Sequence, residues 1–401
     1  MEVSELSKIL AINSGSSSLK FKLFEMPAER IVASGLIERI GISAPQVTIK
    51  NADGQVMFQQ TEDIPDHKRA VELLLDLLLR LKIVTSYDEI AGVGHRVVAG
   101  GEYFDHSVIV TDDVKKKIAE LKEFAPLHNP ANLMGIEAFE RALPHAVAVA
   151  CFDTAFHRTL PETNYVYSVP YEWYEKYGVR RFGAHGLSHK YVVGEAAKLM
   201  KKPLADLKLI SCHLGSGASI CAVKNGKSYD TSMGFSPLSG ITMQTRSGDV
   251  DVSLVAYMRE KLGVSMDEMI YLLNNKSGLL GISGFSPDMR DLLAQMDTNH
   301  RAKLAVDIFV KNVVKFIGQY VAEVGGIDGL IFTAGIGEAS GPIKRRIMKR
   351  LAFMGITIAE DKLDVTGQNV IISGPDSKVT VMTIPTNEEL VIARDVMDYL
   401  A

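Results

Sequence analysis

Two stretches of this sequence lie two hundred residues apart and share one pattern: an apolar run, a glycine- and serine-rich turn, then a second apolar run. The first is Ile9–Ile12, the turn INSGSSS, and Leu19–Phe24; the second is LISCHLGSGASICAV, residues 209–223. Asn13 aligns with His213 and Gly15 with Gly215 at the same offset of 200, about half of the 401 residues. Each stretch reads as two strands joined by a tight turn. Hairpins at half-chain spacing suggest an internal duplication. Chance remains open, because glycine and serine are common in such turns.

The length predicts two or three domains. A third glycine-rich turn follows an apolar run in LIFTAGIGEAS, residues 330–340, and the basic segment Pro342–Met354 has a helical pattern. Helical patterns are also expected at 66–82, 112–123, 131–142, 188–201, 250–262, 265–274, 300–322 and 386–400. They alternate with strand-like runs, so mixed α/β layers are expected. The best boundary falls near residue 155, after AVAVACFDTAF, with a second crossing near residue 385.

Composition removes several function classes. Lys plus Arg total 44 against 48 Asp plus Glu, a net charge of −4, unlike a strongly basic nucleic-acid binder. Three cysteines, with none at zinc spacing, argue against a disulfide framework and fit a reducing compartment. MEVSELSKIL has acids where a signal peptide would be basic, so no leader is expected. The most apolar run, Val71–Leu81, is interrupted by Asp76 and Arg80, so no membrane span is expected. These bounds describe a cytoplasmic α/β protein.

The turn INSGSSSLKF, residues 12–21, offers Gly15, three serine hydroxyls, consecutive N–H groups and Lys20. Such a turn can cradle an anion, which needs several donors and a nearby positive charge; an exposed polar turn is the plainer alternative. CHLGSGASI, residues 212–220, is similar without the lysine. CAVKNGKS ends like a P-loop but has Cys221 in place of its first glycine. GIGEAS ends in Ser340, not glycine, so a dinucleotide fingerprint is not expected.

Several charges stand in unusual surroundings. Arg96 lies in the apolar, glycine-rich GHRVVAGGE, and Arg246 in TRSGDVD near Asp249 and Asp251. Each needs a partner, either a neighbouring acid or a phosphate. Asp153 ends an apolar run in ACFDTAFH, where a catalytic acid and a helix cap are both sensible. His185 and His189 lie four apart in AHGLSH without a third ligand, which favours structural roles over a metal. Asp288, Arg290 and Asp291 crowd SPDMRD, where a solvated helix start is the alternative. Asn387, Glu388 and Glu389 open the last helical pattern; the helix dipole explains them, though one acid could hold Mg²⁺ through water.

Taken together, INSGSSSLKF, GHRVV, APLHNP, FDTAFH, HGLSH, CHLG, DTSMG, TRSGD, DMRD, FTAGIGE and IPTNEE resemble the signatures of the acetate kinase family, in order and across nearly the whole chain. That family belongs with the acetate and sugar kinases, Hsp70 and actin. The resemblance implies a two-domain ribonuclease H-like (actin-like ATPase) α/β fold, duplicated, with an interdomain cleft. The first domain would be 1–155 completed by helix 386–401, and the second, nucleotide-binding domain 156–385. It implies Mg²⁺-dependent transfer of the ATP γ-phosphoryl group to acetate, giving acetyl phosphate and ADP, with Mn²⁺ as a substitute metal. A homodimer is implied, with no nucleic-acid or membrane partner.

The family pattern assigns roles to matching residues. Arg96 and Arg246 would flank the transferring group, His185 would donate to it with Arg246 in the transition state, and Asp153 would position substrate or metal. Asn13 and Glu388 would organise Mg²⁺. Ser16, Ser18 and Lys20 would line the first phosphate turn, His213 and Gly215 the second, and Asp288, Arg290, Gly335 and Gly337 would hold the nucleotide. Arg96, Val98, Leu127, Ala184 and Pro237 would meet the acid.

The sequence also departs from the pattern. Ala184 stands where phenylalanine is usual before the histidine, Ala99 for histidine, Ser216 for asparagine, Ser239 for glutamate and Gln244 for glycine. The missing phenyl wall raises propionate or butyrate as an alternative acid, and Ser216 and Gln244 raise another donor such as pyrophosphate. A nucleotide-binding module without turnover is a rival class, disfavoured by the complete set Arg96, Asp153, His185 and Arg246. A serine hydrolase finds no GxSxG.

Overall fold

Leu19, Phe21 and Leu23 alternate with Lys20 and Lys22, and that period of two gives one buried and one outward face to a strand. In the computed structural model, which describes residues 7–126 and 128–400, this strand is β2 (Ser18–Met26), antiparallel to β1 (Ser7–Ser14). Outward from β2 lie β3 (Arg30–Glu38), β4 (Gln46–Asn51) and β5 (Val56–Thr61), all antiparallel. On the other side, β6 (Ile90–Val97) runs parallel to β1. The edge strand β7 (Val108–Ile109) lies antiparallel to β8 (Val147–Phe152), which is parallel to β6. The order is β5-β4-β3-β2-β1-β6-β8-β7.

The second sheet holds β9 (Lys208–Leu214), β10 (Ala218–Lys224), β11 (Lys227–Thr231), β12 (Gly329–Thr333), β13 (Val370–Ile371) and β14 (Thr380–Thr383). Its order is β11-β10-β9-β12-β14-β13. The antiparallel trio β11-β10-β9 matches β3-β2-β1, the parallel pair β12-β14 matches β6-β8, and each sheet ends in a short antiparallel strand. The duplication suggested by the turns is therefore present in strand order and direction. Register carries it further, with Asn13 opposite Lys20 in one hairpin and His213 opposite Ser219 in the other.

The chain divides into two compact units, one running to Ala155 and resuming at Asn387, the other spanning Phe156–Thr386. The last helix, Glu388–Met397, returns to the first sheet through Leu390, Val391, Ile392, Ala393 and Val396. Glycines let it come close: a Cβ on Gly94 would lie 2.2 Å from Ile392, and one on Gly92 2.4 Å from Val396. In the second unit the helix His300–Val324 buries Phe309, Val313 and Ile317 in the core around β9 and β10. Each such side chain contributes about 1.5–3 kcal/mol.

Helices form where their periodicity and caps agree. Asp66 accepts from Arg69 N to start His67–Arg80, and Asn299 caps His300–Val324, which Gly325 ends in a left-handed conformation. The pattern at 342–354 gives a helix only over Gly341–Arg350, preceded by the short helix Ala334–Ala339, which the sequence reading lacks. All three cysteines are buried. No helix among the described residues is long and apolar enough to cross a membrane.

Candidate active site

Three neighbouring parallel strands end side by side in the first unit. Asn13 lies near the end of β1, Arg96 near the end of β6, and Asp153 directly after β8. The carboxyl ends of parallel strands are where α/β sheets hold ligands. Asp153 is 1% exposed and accepts a two-pronged bond from Arg96, with Nε 3.1 Å from Oδ1 and Nη2 on the other oxygen. Asn13 Oδ1 accepts from Arg96 Nη1 at 3.3 Å, and Glu388, at the start of the last helix, lies 3.8 Å from Nε. The acid partner read as one alternative for Arg96 is thus present.

Burial opposes the Arg96 charge, but Asp153 and Glu388 outweigh it and raise its pKa. Burial raises the Glu388 carboxyl to about 7; Arg96 opposes that shift while Asp153 and Glu389 add to it. Carboxylate and amide oxygens suit a hard cation such as Mg²⁺. Among the described residues no three His, Cys, Asp or Glu side chains group to hold a metal. Asn13 Oδ1 and the Glu388 carboxylate are oxygens of that kind.

The hairpin beside this cluster is held by groups the sequence reading missed. Asn132 donates to Ser14 O at 2.7 Å and accepts from Val98 N, Asn129 both donates to and accepts from Ala99, and His67 Nε2 lies 2.7 Å from Gly15 O. The asparagines open the helix Asn129–Ala142 within and just after APLHNP, the one sequence signal for them. Ser16 is exposed and Ser18 half-buried. Lys20 pairs with Glu389, which Lys22 also meets at 3.1 Å. Burial would raise the Glu389 carboxyl, but Lys22 and Lys20 pull it down to about 2. Val98 is half-buried, and Leu127 lies outside the described residues.

In the second unit the β9–β10 turn borders a cavity of about 600 Å³. Gly215, Ser216 and Gln244 line it with Asp288, Arg290 and Gly335, and Met289, Leu293 and Ile336 supply apolar wall. Its size and mixed lining suit a nucleotide. Asp288 also caps the helix Met289–Gln295, and bonding to Arg290 lowers its carboxyl to about 2. Gly337 does not line the cavity; a Cβ there would touch Cys212 O and Leu214 at 3.5 Å, so it serves the packing of Ala334–Ala339 on β9.

Beside that turn, the His185 and His213 rings stack at 4.2 Å and 17°. His185 takes a left-handed φ of 58° directly before the helix Gly186–Met200. Arg246 donates to Pro237 O at 3.2 Å and has no carboxylate partner among the described residues. Asp249 accepts from Gly240 N and Asp251 caps the helix Val252–Leu262, so neither neighbouring acid meets it. Burial lowers the Arg246 pKa. A Cβ on Gly217 would lie 3.3 Å from His185 Nε2 and 3.4 Å from Arg246 Nη1. The missing side chain at this one position thus lets the turn lie close against both groups. Ala184 is buried, and its carbonyl accepts from His157 Nε2.

The chain is similar to several known proteins. The acetate kinase of Limosilactobacillus fermentum is 56% identical over 392 residues, 98% of each chain. That of Bacillus subtilis strain 168 is 54% identical over 393 residues, 98% of this chain and 99% of its own. The crystal structure of Porphyromonas gingivalis acetate kinase superposes with a TM-score of 0.93 at 41% identity, covering 98% of this chain and all of that one. A propionate kinase from Francisella tularensis follows at 0.91 and 40%, with the same coverage. With a model of the acetokinase family matching residues 8–394, nearly every element described above falls within the match, and the chain belongs to that family.

Proposed function

We propose that this protein transfers the γ-phosphoryl group of ATP reversibly to acetate, giving acetyl phosphate and ADP. The observation that carries the reading is that Arg246 and His185 both lie against Gly217: a partly buried guanidinium with no carboxylate partner among the described residues, beside an imidazole. Acetate is already ionised at neutral pH, so no strong base is needed. The barrier is charge repulsion and alignment, which positioned cations relieve.

In this reading Arg246 and His185 bond the oxygens of the transferring group, and Arg96 neutralises the incoming carboxylate. Asp153 holds the Arg96 guanidinium in one orientation through its two-pronged bond. Mg²⁺, when bound, would screen the phosphate charge, with Asn13 and Glu388 as its protein oxygens. Gly215, Asp288, Arg290 and Gly335 would seat the nucleotide, with His213 and Gly337 shaping the wall behind it. Ser16 and Ser18 would donate to phosphate, while Lys20, already paired with Glu389, would act at longer range. Val98, Leu127, Ala184 and Pro237 would contact the methyl group. Longer acids and pyrophosphate are not favoured: relatives at 54–56% identity are acetate kinases over almost their full length.

We also propose a cytoplasmic homodimer. Exposed apolar side chains cluster on the helices Val252–Leu262 and Met266–Asn275, among them Val252, Tyr257, Leu262 and Tyr271, and a second copy could cover them. Light scattering on the purified protein reads that assembly. The activity test is a matrix of acetate, propionate and butyrate against ATP and pyrophosphate with Mg²⁺, trapping acyl phosphate as hydroxamate. The highest kcat/KM is expected for acetate with ATP. ATP binding without trapped product would reject the assignment.

A further inference from the structure

A line of buried side chains leads away from His185 into the second unit. His185 Nδ1 lies 2.9 Å from Ser219 Oγ, Ser219 Oγ lies 2.8 Å from His189 Nε2, and His189 Nδ1 lies 2.9 Å from Ser211 Oγ. Ser211, Ser219 and His189 are all 0% exposed, so no water competes for these bonds. Among the described residues the Ser211 hydroxyl has one side-chain partner, His189, and Ser219 has two, the facing imidazoles.

Those partners fix the direction of every bond. A buried hydroxyl with a single partner donates to it, because an unused lone pair costs far less than a stranded O–H. Ser211 therefore donates to His189 Nδ1. His189 is neutral: burial, with His157 and His213 nearby, holds it well below the ordinary histidine range. Its one proton is then on Nε2 and is donated to Ser219 Oγ. Ser219 has one hydrogen left to give, and its other partner is His185 Nδ1. That nitrogen accepts, so the proton of His185 is on Nε2, the atom that lies against Gly217, as Arg246 Nη1 does.

We propose that Ser211, His189 and Ser219 are positioning residues forming a one-way hydrogen-bond relay that fixes His185 as a neutral imidazole with its proton on Nε2. The role of that proton in transfer rests on the function proposed above; the relay itself does not. A neutral donor also suits the stack. Two imidazolium rings 4.2 Å apart would repel, and His213 has a matching serine, Ser188, 2.8 Å from its own Nδ1, which Thr386 meets in turn at 2.8 Å. In strand register, Ser219 occupies the place opposite His213 that Lys20 occupies opposite Asn13 in the first hairpin.

The test is nitrogen NMR of ¹⁵N-histidine-labelled full-length protein without substrates, with His185 assigned by loss of its signal in His185→Asn. Wild type is expected to show His185 with a bare Nδ1 and a protonated Nε2. Ser211→Ala and Ser219→Ala are expected to mix the tautomers and lower kcat by ~10-fold, the equivalent of one hydrogen bond, with KM for ATP unchanged. Ser211→Thr, which keeps the hydroxyl, is expected to restore the wild-type spectrum. His185 protonated on Nδ1 or on both nitrogens near pH 7.5, or a tautomer unmoved in both alanine variants, would overturn the relay. Full turnover in His185→Asn would overturn the catalytic role alone.

Discussion

Gly217→Ala separates binding geometry from folding. The backbone at Gly217 does not lie in the left-handed region, so alanine brings no strain there. Its methyl would stand 3.3 Å from His185 Nε2 and 3.4 Å from Arg246 Nη1, distances met by shifts of a few tenths of an ångström. Replacing glycine also restricts the unfolded chain, which stabilises by about 0.4–1 kcal/mol. Net stability should therefore change by no more than about 1 kcal/mol, a few degrees in Tm. The same methyl would crowd both donors and shift them from where they would meet the transferring group. Losing one such donor costs about 3–4 kcal/mol of barrier, or 10²–10³ in rate, and kcat should fall by at least about 10². Thermal unfolding and hydroxamate-trapped initial rates read the two effects separately. Gly194→Ala, in the helix Gly186–Met200 with nothing within 4 Å of the added carbon, is the control and should keep full activity. Near-normal kcat in a folded Gly217→Ala protein would refute the convergence of these donors on the reacting group.

The parts of the molecule legible in the sequence are those fixed by local pattern. The paired hairpins were visible because alternation and glycine turns are short-range signals, and the strand orders repeat accordingly. The long helix over 300–322 was visible from its period and ends within two residues of that reading. The short edge strands β7 and β13, two residues each, carry too little pattern to be seen. The partner of Arg246 could not be settled either. Asp249 and Asp251 are its neighbours in sequence, but loop geometry spends both on backbone N–H groups. Its turn marks Lys20 as a phosphate ligand, and the acid that engages it, Glu389, is 369 positions away along the chain. The serine–histidine relay joins residues 22, 30 and 34 positions apart, and pairings of that kind appear only once a helix is laid on a sheet.

Gly94→Val should destabilise by about 1–3 kcal/mol through overpacking, since even a Cβ there falls 2.2 Å from Ile392; urea unfolding reads it. The thiols of Cys151, Cys212 and Cys221 should resist a thiol reagent at pH 7–9 in the native protein and react on unfolding, because all three are buried and burial raises the Cys221 thiol to about 12. The two arginines should part company when truncated. Both Arg96→Ala and Arg246→Ala should lower kcat by about 10²–10³. Arg96→Ala also strands Asp153, 1% exposed, and removes a positive neighbour from Glu388. Breaking a buried ion pair from one side costs about 3–5 kcal/mol, so this variant should melt well below wild type. Arg246→Ala strands only the neutral acceptors Pro237 O and Met243 Sδ and relieves the burial of a charge, so its Tm should stay close to wild type. Adding Asp153→Asn to Arg96→Ala should recover much of the lost stability and none of the turnover, since it removes the stranded charge without replacing the cation. Equal Tm in the two single variants would show that Asp153 is not held by Arg96 as described, and with it would fall the claim that this acid serves to orient the arginine.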